Sequence, residues 1–557
     1  MMRWLTALFA AALGVTLCFT TAGAGIRFGD VAAQSGIAVR MRCGGPEKRW
    51  IPEANGSGAA WLDYDNDGLM DLLIVNGSTI DDLRQIVAGR VPPARSGNLY
   101  LYHNLGNGRF EDVTARAGLA NRYWGTGANT VDFDNDGYTD ILVTNIGVDL
   151  LFRNNGNGTF TEVGRAAGLS QKVAWHTGSA FGDFDSDGRL DLYVAGYVDP
   201  TVFTWQGDAP GCNYRGLPGF CGPQGLRGET DILYHNEGNG KFTDVTEKAG
   251  VTDRGRYHGF TVVFDDFNQD GKMDIFVAND SDPNYLYLNQ GNGRFREAGL
   301  VSGVAYSSDG RTQSNMGVAI GDFDNNGRLD VLTTTFSEDY FSLFRQEEPG
   351  LFEDASARFG LRTVTVPWVG WACGFADFDN DGRKDLWIAN GHVYPNAELL
   401  GSTTYLQPIA IFENTGSGFV PVPDATGAPP RASWRGGCSG DFNNDGRVDL
   451  VVLPISGSPV LLENRSQTGH SWIGFRLQGT NSNRDAIGAK IWVDSCGKTQ
   501  FETMRNGGSY LSHNDPRLHF GLGACLSVDR VKVQWPDGAN QVLKDPAVNR
   551  YHTIREP

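Results

Sequence analysis

The stretch DYDNDGLMD at 63–71 decides the fold, because it returns six more times: DFDNDGYTD at 132–140, DFDSDGRLD at 183–191, DFNQDGKMD at 266–274, DFDNNGRLD at 322–330, DFDNDGRKD at 377–385 and DFNNDGRVD at 441–449. Each phrase places side-chain oxygens at positions 1, 3, 5 and 9, with glycine at position 6. A hard cation such as calcium takes about six to eight oxygen ligands, and glycine lets the chain turn sharply around it. The candidate metal ligands are Asp63, Asp65, Asp67 and Asp71, then Asp132, Asp134, Asp136 and Asp140, then Asp183, Asp185, Asp187 and Asp191. The later phrases add Asp266, Asn268, Asp270 and Asp274; Asp322, Asp324, Asn326 and Asp330; Asp377, Asp379, Asp381 and Asp385; and Asp441, Asn443, Asp445 and Asp449. A backbone carbonyl near position 7 completes each shell, and the expectation is several calcium ions, up to seven. A single such phrase could instead be a turn whose Asp side chains cap their own backbone, but seven in phase favour a cation. Its role is structural, since crowded carboxylates repel one another and binding relieves the repulsion as folding energy.

The phrase is the middle of a longer period. An FxDV element recurs as FGDVAAQSG (28–36), FEDVTARAG (110–118), FTEVGRAAG (160–168) and FTDVTEKAG (242–250), with looser copies from Phe295, Phe352 and Phe419. Another segment ends at an asparagine: LYLYHNLGNG (99–108), LLFRNNGNG (150–158), ILYHNEGNG (232–240) and YLYLNQGNG (285–293). Short apolar runs bounded by DG, NG and GNG turns read as strands. Seven repeats of four such strands predict an all-β seven-bladed β-propeller. The strand near Phe28 is expected to complete the last blade and close the ring.

These repeats resemble FG-GAP/VCBS repeats, the kind found in integrin α-subunit propellers. The final stretch resembles the ASPIC/UnbV module through WIGFRLQG, NRDAIGAKIWV (483–493), GGSYLSHNDPRLHFGLG (507–523) and VKVQWPDG (531–538). Together they resemble the cartilage acidic protein family, which implies secretion and extracellular interaction and no defined reaction. The expected division is a signal peptide at 1–24, a propeller at 25–465 and an ASPIC/UnbV β-sandwich at 466–557.

The formal net charge is −18, and the seven phrases carry 25 Asp side chains, so seven divalent ions (+14) would offset most of it. This acidity disfavours nucleic acid and anionic membranes. Arg3, an apolar run to Phe19 and Ala22-Gly23-Ala24 read as a secretory signal cut after Ala24, leaving no stretch for stable membrane insertion. Export, to the exterior or a periplasm, permits disulfides. Of the seven remaining cysteines, Cys212 with Cys221 and Cys496 with Cys525 could pair, and one of Cys43, Cys373 and Cys438 is expected to stay free.

A second pattern precedes the acidic phrases: Asn55, Trp124, Trp175-His176, Tyr257-His258, Asn315, Trp371 and Trp434-Arg435. The strands after the phrases end at Asn76, Asn145, Asn279-Asp280 and Asn390-His392. Both sets belong at the channel mouth opposite the acidic loops. The candidate ligand-binding residues are Trp124, Trp175, His176, His258, Trp371, Trp434 and Asn390, suited to stacking on sugar rings and bonding their hydroxyls; the alternative is packing between blades. The expected partner is a glycan or an extracellular or cell-surface protein. A second reading is an enzyme or accessory protein acting on polysaccharide or a secondary metabolite, with His176, His258, His392 and Asp280 as an acid/base cluster, although no catalytic motif is present. The insertion at 199–231, with Trp205, is expected on the same face as a partial lid.

Overall fold

The apolar runs beside each acidic phrase form strands. A computed structural model describing residues 25–92, 98–202, 211–427 and 431–557 arranges them as seven four-stranded antiparallel units. The segment expected to be a signal peptide (1–24) and Trp205 lie outside the described residues. In the first unit Ala59–Leu62, Asp71–Val75, Leu99–Asn104 and Phe110–Asp112 pair in that order. Every acidic phrase is the hairpin connection between the first and second strands of its unit. In the second unit those two strands, Trp124–Val131 and Asp140–Gly147, are buried along their whole length. They therefore read as continuous apolar and small residues rather than as an alternation.

In the last unit Trp434–Gly440, Asp449–Pro454 and Val460–Asn464 take Phe28–Asp30 as the fourth strand, with Phe28 opposite Asn464 and Asp30 opposite Leu462. The N-terminal strand thus joins the last unit, as expected. A ladder of side-chain amides then links each unit to the one before. Asn154 Nδ2 donates to the Tyr64 carbonyl at 2.8 Å, Asn236 to Phe133 at 2.9 Å and Asn289 to Phe184 at 2.7 Å. Gln346 donates to Phe267 at 2.5 Å, Asn414 to Phe323 at 2.8 Å and Asn464 to Phe378 at 2.9 Å. Asn104 of the first unit returns to Phe442 of the last at 2.8 Å, so the ladder is circular. All seven amides are buried, where an unmet polar group would be costly.

After residue 465 two further sheets form. Ser471–Gln478 lies between Leu518–Gly523 and Tyr551–Arg555. Lys498–Thr503, Lys490–Ser495, Arg530–Gln534 and Asn540–Lys544 make the other. Ile473, Phe475, Ile491, Val493, Val531 and Trp535 share one buried cluster. Cys496–Cys525 and Cys212–Cys221 are disulfides. The remaining three cysteines correct the sequence reading: Cys43, Cys373 and Cys438 are all free and buried, each in a different hydrophobic cluster.

Candidate functional site

In every acidic loop the residue at position 4 and the glycine at position 6 take left-handed backbone, as Asn66 (φ 60°) and Gly68 (φ 87°) do in the first. This curls the loop so that the position-1 carboxylate caps it: Asp132 accepts Asp136 N–H at 3.0 Å and Gly137 N–H at 2.7 Å. The position-9 carboxylate ties the loop to two strands, Asp140 accepting Phe133 N–H at 3.1 Å and Asn154 N–H at 2.7 Å. Neighbouring loops are also linked, through Asn66 to the Gly137 carbonyl (2.9 Å), Asn135 to Gly188 (3.0 Å) and, across the junction, Asn444 to Gly68 (3.1 Å).

The loops concentrate negative charge. Carboxylate oxygens of Asp63, Asp65 and Asp67 lie within 4.8 Å of one another, as do those of Asp132, Asp134 and Asp136. Burial first, and neighbouring carboxylates second, push protonation of the cation-free acids upward: Asp71 to about 9, Asp132 to about 8 and Asp274 to about 8. Asp63 Oδ1, Asp134 Oδ1 and Asp324 Oδ1 are buried with no hydrogen-bond partner. Orphaned acidic oxygens in a tight cluster fit a hard divalent cation, which would supply the missing partner. Two imidazoles join these clusters without having been anticipated: His103 stands 3.1 Å from Asp71, and His235 stands 3.0 Å from Asp185. Both precede the ladder asparagines, on the strand beside the loop.

The C-terminal module sits on this acidic face. Arg476 donates to Asp63 at 2.9 Å, Lys490 to Asp266 at 2.6 Å and the Tyr551 hydroxyl to Asp441 at 3.0 Å. From the module, residues 506–513 run up the centre of the ring and bond to inner strands of several units. Val318 and Ser509 exchange two backbone hydrogen bonds, and Ala128 N–H donates to the Leu511 carbonyl at 3.0 Å. His513 N–H donates to the Ala59 carbonyl at 2.9 Å, and Ser509 Oγ to the Gly437 carbonyl at 2.6 Å. Gly507 (φ +99°) permits this approach, since a Cβ there would meet the Val262 carbonyl oxygen at 2.3 Å. The Gly-Gly-Ser-Tyr segment at 507–510 is thus a plug between the inner strands.

At the far ends of the same inner strands opens a cavity of about 670 Å³. Asn55, Tyr197, Asp280, Met316 and Trp371 form its base, and Tyr510 packs beneath, 4.9 Å from the Trp371 ring. Arg435 is buried beside it, its guanidinium 4.1 Å over Trp371 and bonded to the carbonyls of Ala54, Gly391 and Trp434. The insertion contributes a disulfide-closed hairpin, Cys212–Tyr214 with Leu217–Gly219, that leans across the mouth. Tyr214 stacks on Tyr394 at 5.4 Å and meets the Phe336 edge at 5.5 Å, while Arg215 pairs with Glu338.

This geometry corrects the expected ligand face. Trp124, Trp175, Trp371 and Trp434 are at most 2% exposed, and His176, His258 and Asn390 are buried as well. Of the seven, only Trp371 borders the cavity, and the covered rings pack between units, because an inner strand starts where its neighbours already enclose it. The accessible aromatics are Tyr214 and Phe336, which sequence reasoning missed; the insertion's position was the one available signal. The histidines take separate partners: His176 Nδ1 lies 2.5 Å from Asp149, His258 Nδ1 lies 2.7 Å from Asp282, and His392 Nδ1 accepts Tyr394 N–H at 3.1 Å. Asp280 instead accepts the Tyr197 hydroxyl at 2.7 Å.

Fold and loops together define an all-β repeat protein with acidic, cation-suited connections. A family model described as an FG-GAP-like repeat matches residues 81–143, 132–194, 225–277 and 266–333, and one described as ASPIC and UnbV matches 479–557. Cartilage acidic protein 1 of Mus musculus is 26% identical over 530 residues, covering 90% of this chain and 73% of the mouse protein. That of Homo sapiens is 25% identical over 77% of this chain and 62% of its own length. The chain is thus similar to cartilage acidic protein 1 over most of its length, with FG-GAP-like repeats followed by an ASPIC and UnbV segment. A solved Agrocybe aegerita lectin aligns over 74% of this chain and 87% of its own at 15% identity and a TM-score of 0.36, too low for any conclusion.

Proposed function

We propose that the chain is a secreted, calcium-stabilised seven-bladed β-propeller that binds a glycan or an extracellular protein at the channel mouth opposite its calcium loops. The seven units joined by a circular amide ladder support the propeller, spanning 25–465. The two sheets sharing one core support a β-sandwich at 466–557. Asp residues at positions 1, 3, 5 and 9 would hold calcium, which supplies the counter-charge the buried carboxylates lack. Two disulfides favour an oxidising, extracellular or periplasmic setting, and no helix among the described residues is long and apolar enough to cross a membrane.

The observation that carries the binding reading is the mouth cavity. The module packs on the acidic face and its 506–513 segment fills the centre of the ring, while the mouth keeps a cavity of about 670 Å³, a volume typical of sites for small ligands. The test is to present the mature chain, in calcium and in chelator, to arrays of glycans and extracellular proteins. Binding should require calcium and be lost in Tyr214→Ala and Phe336→Ala. Binding that survives both substitutions in a folded chain would overturn the mouth as the site.

A further inference from the structure

We propose, resting on the reading of the acidic loops as cation sites, that the first loop prefers a divalent transition-metal ion to calcium, held by Asp63, Asp65, Asp67 and the imidazole of His103. The argument starts at one strand position, the residue just before each ladder amide, which stands beside the position-3 carboxylate of its loop. In the first unit it is His103, whose Nδ1 lies 3.1 Å from Asp71 and 3.5 Å from Asp65. In the fifth unit it is Arg345, whose Nε lies 2.6 Å from Asp324. A guanidinium there can only neutralise the loop, whereas a neutral imidazole brings a nitrogen lone pair to it. Ligand atoms of Asp65, Asp71 and His103 lie within 4.8 Å of one another, as do those of Asp63, Asp65 and Asp67, so the two groups share Asp65. The edge of the Tyr64 ring, 5.8 Å away, braces the imidazole.

Asp63 supplies the second observation. In the other six loops the position-1 Oδ1 accepts the position-5 N–H, as Asp132 does from Asp136 at 3.0 Å and Asp322 from Asn326 at 2.9 Å. In the first loop Arg476 and the Gly68 N–H both go to Asp63 Oδ2, at 2.9 and 3.2 Å. Asp63 is 3% exposed, and its Oδ1 has no hydrogen-bond partner among the described residues. Its lack of access to water is what a ligand oxygen should show, because a bare ion sits about 2.0–2.4 Å from its donors, in a gap too small for water. Four carboxylates around one guanidinium leave negative charge for that ion to meet. Calcium takes oxygen donors, and alone it can enter this loop, but an imidazole in the donor set favours ions such as zinc. The third loop also carries an imidazole, His235, 3.0 Å from Asp185. There, however, Asp183 Oδ1 accepts the Asp187 N–H at 3.0 Å and Arg189 pairs with Asp187, so those acids already have partners.

The test dialyses the untagged, full mature chain against Zn²⁺ in a large excess of calcium and counts the metals retained. The expected result is that His103→Gln binds Zn²⁺ at this site at least about tenfold more weakly, with unchanged calcium uptake when Zn²⁺ is left out. Asp67→Asn, which leaves the imidazole in place, should weaken Zn²⁺ as well. In the chain loaded with one equivalent of Cu²⁺, pulsed EPR should show imidazole nitrogen coupling that His103→Gln removes. Melting curves show which variants fold, and Asp67→Asn decides the matter if His103→Gln does not. Equal Zn²⁺ retention by the parent and a folded His103→Gln would overturn the proposal, and so would retention that needs His103 but ignores Asp67→Asn. Calcium bound without any Zn²⁺ would overturn the choice of metal alone. A folded chain that retains neither ion would remove the cation reading itself.

Discussion

The Tyr510 hydroxyl donates to the Asn55 carbonyl at 3.0 Å, joining positions 455 residues apart. One belongs to the C-terminal module and the other to the turn that opens the first unit, so the contact ties the chain's last domain to the base of the mouth cavity. Module and ring therefore fold as one cooperative body.

Asn506 is the first test of that coupling. Its side-chain oxygen accepts Phe181 N–H at 2.9 Å and Asn129 Nδ2 at 2.8 Å, and its Nδ2 donates back to Asn129 Oδ1 at 2.9 Å. Asn506→Ala leaves these buried groups bare, at about 1–3 kcal/mol each. Urea unfolding should show a single transition at lower midpoint. Tyr510→Phe should lose only about 1 kcal/mol. Separate transitions for module and ring would argue against the coupling.

Arg435 is a buried cation with no carboxylate partner among the described residues, satisfied by carbonyls and by Trp371; burial lowers its pKa to about 10, so it stays charged at neutral pH. Arg435→Lys keeps the charge but lacks the planar fork that reaches three carbonyls. We expect at least about 2 kcal/mol lost and a lower melting temperature. A Lys variant as stable as the parent would mean the carbonyls find other donors.

The three free thiols are buried, and burial raises the pKa of each. A thiol reagent should find none reactive in the native protein and three after unreduced denaturation. One reactive thiol after denaturation would restore the pairing first expected from sequence.

The all-β repeat was legible because DxDxDG is local, returns in phase and needs no partner to be recognised. The ladder was half legible: the asparagine of LYLYHN was visible as a strand end, but its acceptor, Phe442, lies 338 residues away. The plug was illegible for the same reason, since Gly507 and Gly508 owe their meaning to inner strands of the repeat units. The mouth aromatics were misplaced because heading an inner strand does not reveal exposure; Trp175 sits there fully covered, while Tyr214, in an insertion of no recognisable period, is half open.

The most direct measurement is thermal unfolding of the mature chain with calcium and with chelator, across pH. In the cation-free fold, Asp71, Asp132 and Asp274 take up protons at about 9, 8 and 8, above their unfolded values. A carboxyl raised on folding stabilises the fold below its unfolded pKa, and that stability is lost as pH climbs through the folded pKa. With chelator the melting temperature should therefore fall steadily from about pH 5 to about pH 8. With calcium holding the acids ionised it should not, and the gap between the two curves should widen with pH. Coincident curves at about pH 8 would contradict a calcium-stabilised propeller.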